Sequence, residues 1–145
     1  MQWHIHKNPL GLLEVSMKKG ESIIAESEAL VFMQGDVEIK TTTSIEEQGF
    51  FNRIKSNLVG KEPLFLNYYM AKDDCTLGFS GRALGDIESI EIDGSYLIQG
   101  GSYIASTEDI SMDTKFQGFT KGILGTELFM LKIQGKGTVF INTYG

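Results

Sequence analysis

An all-β domain, a sandwich or barrel of short strands, is what this 145-residue sequence predicts, and three observations carry the prediction. Seventeen glycines against two prolines mark a chain of many tight turns. Branched and aromatic residues fall in short runs punctuated by Gly, Asp or Ser, which is strand spacing. The chain also repeats itself. GESIIAESEALVFMQGDVEIKTTT (20–43) lines up with GSYLIQGGSYIASTEDISMDTK (94–115), and GFFNRIKSNLVGKEPLFL (49–66) with GFTKGILGTELFML (118–131). These phrases define one domain over residues 1–145, built of two units at about 20–80 and 94–145.

The elements follow in order. A terminal strand carries His4 and His6, whose side chains share one face. Ser22–Glu26, Leu30–Met33 and Val37–Lys40 read as strands of the first unit. Phe50–Leu58 reads as the one short helix: Phe50, Ile54 and Leu58 recur every four residues, Phe51 widens that face, and Arg53 and Lys55 stay outside. Gly60 is its stop, and so short a helix must pack on something to persist. Leu64–Met70, Ile87–Ile92, Tyr96–Gln99, Ile110–Phe116, Glu127–Ile133 and Thr138–Asn142 complete the strands. Gly135-Lys136-Gly137 supplies a hairpin tip between the last two. Within Ile87–Ile92, Ile90 and Ile92 share a face with Glu88, while Glu91 points the other way.

Composition narrows the function. Thirteen basic residues against nineteen acidic ones leave a net charge of −6, a field that discourages nucleic-acid binding. Cys75 stands alone, so no internal disulfide forms and a reducing, cytoplasmic setting is expected. The N-terminal MQWHIHKNPLGLLEV lacks the basic and apolar regions of a secretory signal, and no apolar run is long enough to span a bilayer.

Catalytic constellations fail one by one. Gly60-Lys61 suggests a phosphate loop, but Lys55 and Glu62 occupy the positions that need a glycine and a Ser or Thr. His4 and His6 could begin a metal site on a strand, yet no third ligand stands at comparable spacing. Asp73 and Asp74 disfavour a thiolate at Cys75, so a packed cysteine is expected. Glu26 and Glu28 on one strand face, and the acidic edge Asp86, Glu88, Glu91 and Asp93, read as solvated faces that discourage edge-to-edge pairing. Tyr68-Tyr69 reads as buried aromatics. No cofactor and no catalytic residue is predicted.

In the phrases GESIIAESEALVFM (20–33), GFFNRIKSNLVGKEPLFLN (49–67), GDIESIEIDGSYLIQGGSYIAS (85–106) and DTKFQGFTKGILGTELFMLKIQGKGTVFINTYG (113–145), the chain resembles a family of mitochondrial biogenesis proteins. That family is named for altered inheritance of mitochondria (member 24), and it has many prokaryotic homologues. The resemblance implies a double-stranded β-helix grouped with the trp RNA-binding attenuation protein (TRAP-like), with no established catalytic residues. It implies a cytoplasmic protein of unassigned role in a prokaryote and a mitochondrial one only in a eukaryote. Family members continue through a further repeat where this sequence ends at Gly145. Uncovered edges would then be closed by self-association.

The expected function is therefore a non-enzymatic β-domain that acts as a homo-oligomer and binds a protein partner or an anionic membrane surface. Phe50, Phe51, Arg53, Ile54 and Lys55 are the candidate surface, combining apolar and cationic side chains in one turn. The alternative is a cupin-like enzyme that binds a small molecule or metal in a barrel mouth, starting from His4 and His6.

Overall fold

The computed structural model describes residues 1–7, 9–42, 54–55, 65–113 and 130–143. They form twelve strands: β1 (Gln2–His6), β2 (Leu12–Met17), β3 (Ser22–Glu26), β4 (Leu30–Gln34), β5 (Val37–Thr42), β6 (Ile54–Lys55), β7 (Leu66–Ala71), β8 (Cys75–Phe79), β9 (Asp86–Gln99), β10 (Tyr103–Ser106), β11 (Ile110–Asp113) and β12 (Met130–Thr143). One 3-10 turn, Gly100–Ser102, joins β9 to β10. The expected all-β class holds.

Two sheets are present. The smaller runs β1-β2-β8-β4, and the larger runs β5-β7-β3-β10-β12-β11-β6, with β9 along the other side of β12. Alternation in β2 and β8 sends Leu13, Val15, Met17, Cys75, Leu77 and Phe79 inward, all buried. They meet Ile23, Tyr69 and Phe140 of the larger sheet in a first core. Ile24, on the opposite face of β3, joins Tyr68, Tyr103, Ile110, Leu131 and Val139 in a second core. Every residue of β3 is buried because the larger sheet is covered on both faces. Each fully buried Leu, Ile or Phe contributes roughly 1.5–3 kcal/mol, so the two cores dominate stability.

The ribbon of β9 and β12 ties these cores together. Fourteen consecutive antiparallel pairs run from Met130↔Gln99 to Thr143↔Asp86 without a register shift. On its other side β12 pairs β11 through Lys132–Gly135 and β10 through Val139–Ile141. Ile87 reaches the first core, while Ile90 and Ile92 reach the second. Glu91, pointing the other way, accepts a hydrogen bond from the Thr138 hydroxyl at 2.8 Å.

Several expectations need correction. Gly135-Lys136-Gly137 is no hairpin tip, because β12 runs straight through it. Gly135 instead faces Gly94 in the ribbon, and both have positive φ, so the pair forms a crease inside two continuous strands. Hence the two strands expected on either side of each glycine are single long ones. Ile54–Lys55 are not helical: they pair parallel with Met112–Asp113. A β-branched residue in a stretch too short for an independent helix satisfies its backbone better on the edge of β11. The rest of the expected helix lies outside the described residues. Strands β2, β8 and β10 were not among those expected.

Candidate interaction surface

Strands β4 and β5 are consecutive edges, one from each sheet. After β4 the chain turns at Gly35, whose φ is +102°. A Cβ there would come within 2.7 Å of the Asp74 carbonyl oxygen, so only glycine lets the chain pass so close to β8. The turn delivers β5 to the outside of β7, in register from Val37↔Ala71 to Thr42↔Leu66. The Gly35 turn thus joins the strand that ends one sheet to the strand that ends the other among the described residues.

This flank is apolar. Val31 is 58% exposed and Ile39 43%, and Phe32, Met33 and Phe65 are exposed as well. Phe32 lies across Gly78, where a Cβ would sit 2.2 Å from its ring, so the aromatic face rests on bare backbone. Ile39 pairs with the buried Tyr69 and belongs to the inner face, yet it is uncovered because the sheet ends there. Edge strands are normally protected by charge, proline or a bulge; β4 carries neither charge nor proline, and only a register shift between Leu30 and Phe32 interrupts its pairing with β8.

Charges frame the flank on β5. The Lys72 ammonium sits 2.7 Å from Glu38 Oε2, and Lys40 Nζ lies 3.8 Å from Glu38 Oε1. The hydrogen bond from Lys72 holds the Glu38 carboxyl below its ordinary range and raises Lys72 above its own. Further along, the Thr41 hydroxyl donates to Asn67 Oδ1 at 2.8 Å.

At the start of β4 stands a second charged group. Glu26 is buried, against the expectation of a solvated face. Arg82 bonds it at 2.8 Å and also reaches Glu28 at 3.1 Å, while the Glu28 N–H donates to Glu26 Oε2 at 3.0 Å. This pairing is what makes a buried carboxylate tolerable. Two glutamates two residues apart could not reveal it, since Arg82 comes from a distant loop.

Of the residues expected to form the site, Phe50, Phe51 and Arg53 lie outside the described residues. Ile54 and Lys55 form β6 beside β11, at the opposite end of the larger sheet from β5. His4 and His6 stack edge to face at 4.4 Å on β1, with Glu14 3.9 Å from His6 Nε2. Among the described residues no group of three His, Cys, Asp or Glu side chains could hold a metal. Cys75 is buried, and desolvation raises its thiol pKa. It borders an open hollow of about 670 Å³ whose lining mixes Met17 with Lys18, Glu21 and Asp74. Among the described residues no helix is long and apolar enough to cross a membrane. On the acidic edge of β9, Glu88 is paired with Lys7, and Glu91 accepts a hydrogen bond from Thr138.

Comparison with known proteins gives three findings. The family model described as Mitochondrial biogenesis AIM24 matches residues 3–145. An uncharacterized protein of Streptococcus pyogenes serotype M6 is 22% identical over 140 residues, covering 92% of this chain and 56% of its own length. The crystal structure of a Streptococcus pyogenes protein superposes with a TM-score of 0.72 at 19% identity, covering 99% of this chain and 65% of its own. The fold is thus shared, and the chain spans little more than half the length of the curated relative.

Proposed function

The chain belongs to the Mitochondrial biogenesis AIM24 family, and from that premise we propose that it is a non-enzymatic β-scaffold acting through self-assembly and the binding of a partner. The observation that carries this is the flank itself. Val31, Phe32 and Met33 on β4, Ile39 on β5 and Phe65 beside β7 expose apolar surface on and beside the strands that, among the described residues, end the two sheets. Water pays for such surface only where nothing covers it, and association removes it. Light scattering at micromolar concentration tests the reading: a mass above that of the single chain is expected, and a clean monomer overturns it.

The same reading extends to the architecture. The succession β3, β4, β5 in the first unit, and the end of β9, β10 and β11 in the second, supports two repeats of one β-unit. A long β9–β12 ribbon whose side chains reach both cores supports a double-stranded β-helix of the TRAP-like kind. The buried, unpaired thiol of Cys75 supports a reducing, cytoplasmic setting.

Residues 50–55 remain the second proposed surface, for a protein partner or an anionic membrane. Flotation with anionic liposomes, compared with a Phe50→Ser/Arg53→Glu variant, tests the membrane version. Loss of flotation in the variant supports it; equal flotation, or none at all, sinks it. The enzymatic alternative has only the hollow beside Cys75 in its favour. Bound metal that disappears in a His4→Ala/His6→Ala variant would revive it.

A further inference from the structure

Among the described residues nothing pairs with the outer edge of β5, an edge complementary to itself, and on the self-assembly reading above we propose that two copies of this chain join by pairing their β5 strands antiparallel about Ile39. The backbone sets the register. Lys72 N–H donates to the Asp36 carbonyl at 2.9 Å, and the pairing with β7 is unbroken from Val37 to Thr42. In an antiparallel pair alternate residues bond to the same neighbour. Even-numbered residues therefore face β7, and the N–H and C=O groups of Val37, Ile39 and Thr41 point to the open edge. Centring a second β5 on Ile39 matches each of these: Ile39 faces Ile39 of the other copy, and Val37 faces Thr41.

The charges then fall into place. In this register Glu38 of one copy lies opposite Lys40 of the other, and the two-fold symmetry makes the contact twice. These are non-hydrogen-bonded positions, where cross-strand side chains come closest. Glu38 and Lys40 lie only 3.8 Å apart within one chain, so each can turn to the facing strand without leaving its own side of the sheet. Meanwhile Ile39, exposed on the inner face, is covered by its symmetry mate.

Other edges lack this property. β9 carries Asp86, Glu88, Glu91 and Asp93 with no basic residue between Asp86 and Gln99. β4 has no charge to fix a register, and β1 has no acid. β5 carries both signs, straddling an exposed isoleucine, with neither proline nor bulge to blunt it.

Two charge variants test the pairing. E38K places two lysines on each β5 and K40E two glutamates, so each alone should weaken self-association about tenfold or more, by turning two attractive cross-strand pairs repulsive. Mixing the two should restore a dimer containing one of each, and E38K/K40E together should self-associate again. Circular dichroism melts confirm that each variant is folded; K40E keeps the Glu38–Lys72 pair and is the safer of the two. A register test needs no charge change. Ile39→Cys should cross-link to itself under mild oxidation, and Thr41→Cys, facing Val37, should not. Self-association that survives both charge variants, or that leaves Ile39→Cys unlinked, overturns the β5 pairing while the assembly reading stands. A monomer at every concentration overturns both.

Discussion

Gly94 and Gly135 face one another across the β9–β12 ribbon, at φ +117° and +135°. They have different surroundings. A Cβ on Gly135 would meet the Asp109 carbonyl oxygen at 2.4 Å, whereas one on Gly94 meets nothing within 4 Å. Gly94→Ala should therefore cost only the backbone strain, about 1–3 kcal/mol. Gly135→Ala should cost more, because the turn before β11 must also shift. Urea denaturation of both variants checks the order; equal losses would mean that the approach of Asp109 is unimportant.

Arg82→Ala should destabilise the fold by about 1–3 kcal/mol, the cost of leaving a buried acceptor without its partner. Glu26 keeps the Glu28 N–H but loses its cation. Glu28→Gln touches an exposed carboxylate and should change stability by less than about 0.5 kcal/mol. Denaturant midpoints distinguish the two, and equal effects would show that burial of Glu26 is not what Arg82 serves.

The Glu38–Lys72 pair has a definite pH signature. The folded-state pKa of Glu38 lies below the ordinary 4.5 because Lys72 hydrogen-bonds the charged form. Its stabilisation is therefore complete above that value and disappears as pH falls through the lowered folded-state pKa. Lys72 contributes in the opposite sense, with stabilisation lost only as pH rises above 10.5 and through its raised pKa. Carboxyl-carbon NMR should show Glu38 titrating below 4.5 in the native chain and moving back towards that value in Lys72→Met. An unchanged midpoint would refute the pairing.

Cys75 should be unreactive in the native protein. Burial both covers the sulfur and raises its pKa from 9.0, which suppresses the thiolate. Aromatic disulfide reagents should modify it only as fast as the fold opens, with full reaction in guanidinium. Rapid labelling of the native protein would contradict that burial.

Much of this was legible in the sequence because strand chemistry is local. The branched run in Ser22–Glu26, the alternation in Val37–Lys40, the buried Tyr68-Tyr69 and the packed cysteine all follow from side-chain type and period. The mistakes share a cause. At Gly135 the sequence shows a glycine between strand-like runs, but only the facing Gly94 decides whether the chain turns or creases. At Ile54 a four-residue apolar spacing suits a helix until the edge of β11 offers hydrogen bonds. The β5 surface was hidden for the same reason: Val37–Lys40 reads as a strand, but whether it is an edge depends on whether another strand pairs with its side away from β7. Glu26 looked solvated because its cation lies 56 positions away.

The ribbon bears on how the chain acquires its shape during synthesis. β9, β10 and β11 all take hydrogen bonds from β12, the last of the described strands, with pairs as distant as Asp86 and Thr143. A nascent chain that has emerged only as far as β11 holds three strands with no common neighbour and an apolar second core without Leu131, Ile133 or Val139. The smaller sheet has all its strands by Phe79 and can form earlier. Closure of the larger sheet must wait until β12 has been made and has emerged, and for that interval its unpaired strands depend on speed or on a chaperone to stay apart from those of other chains.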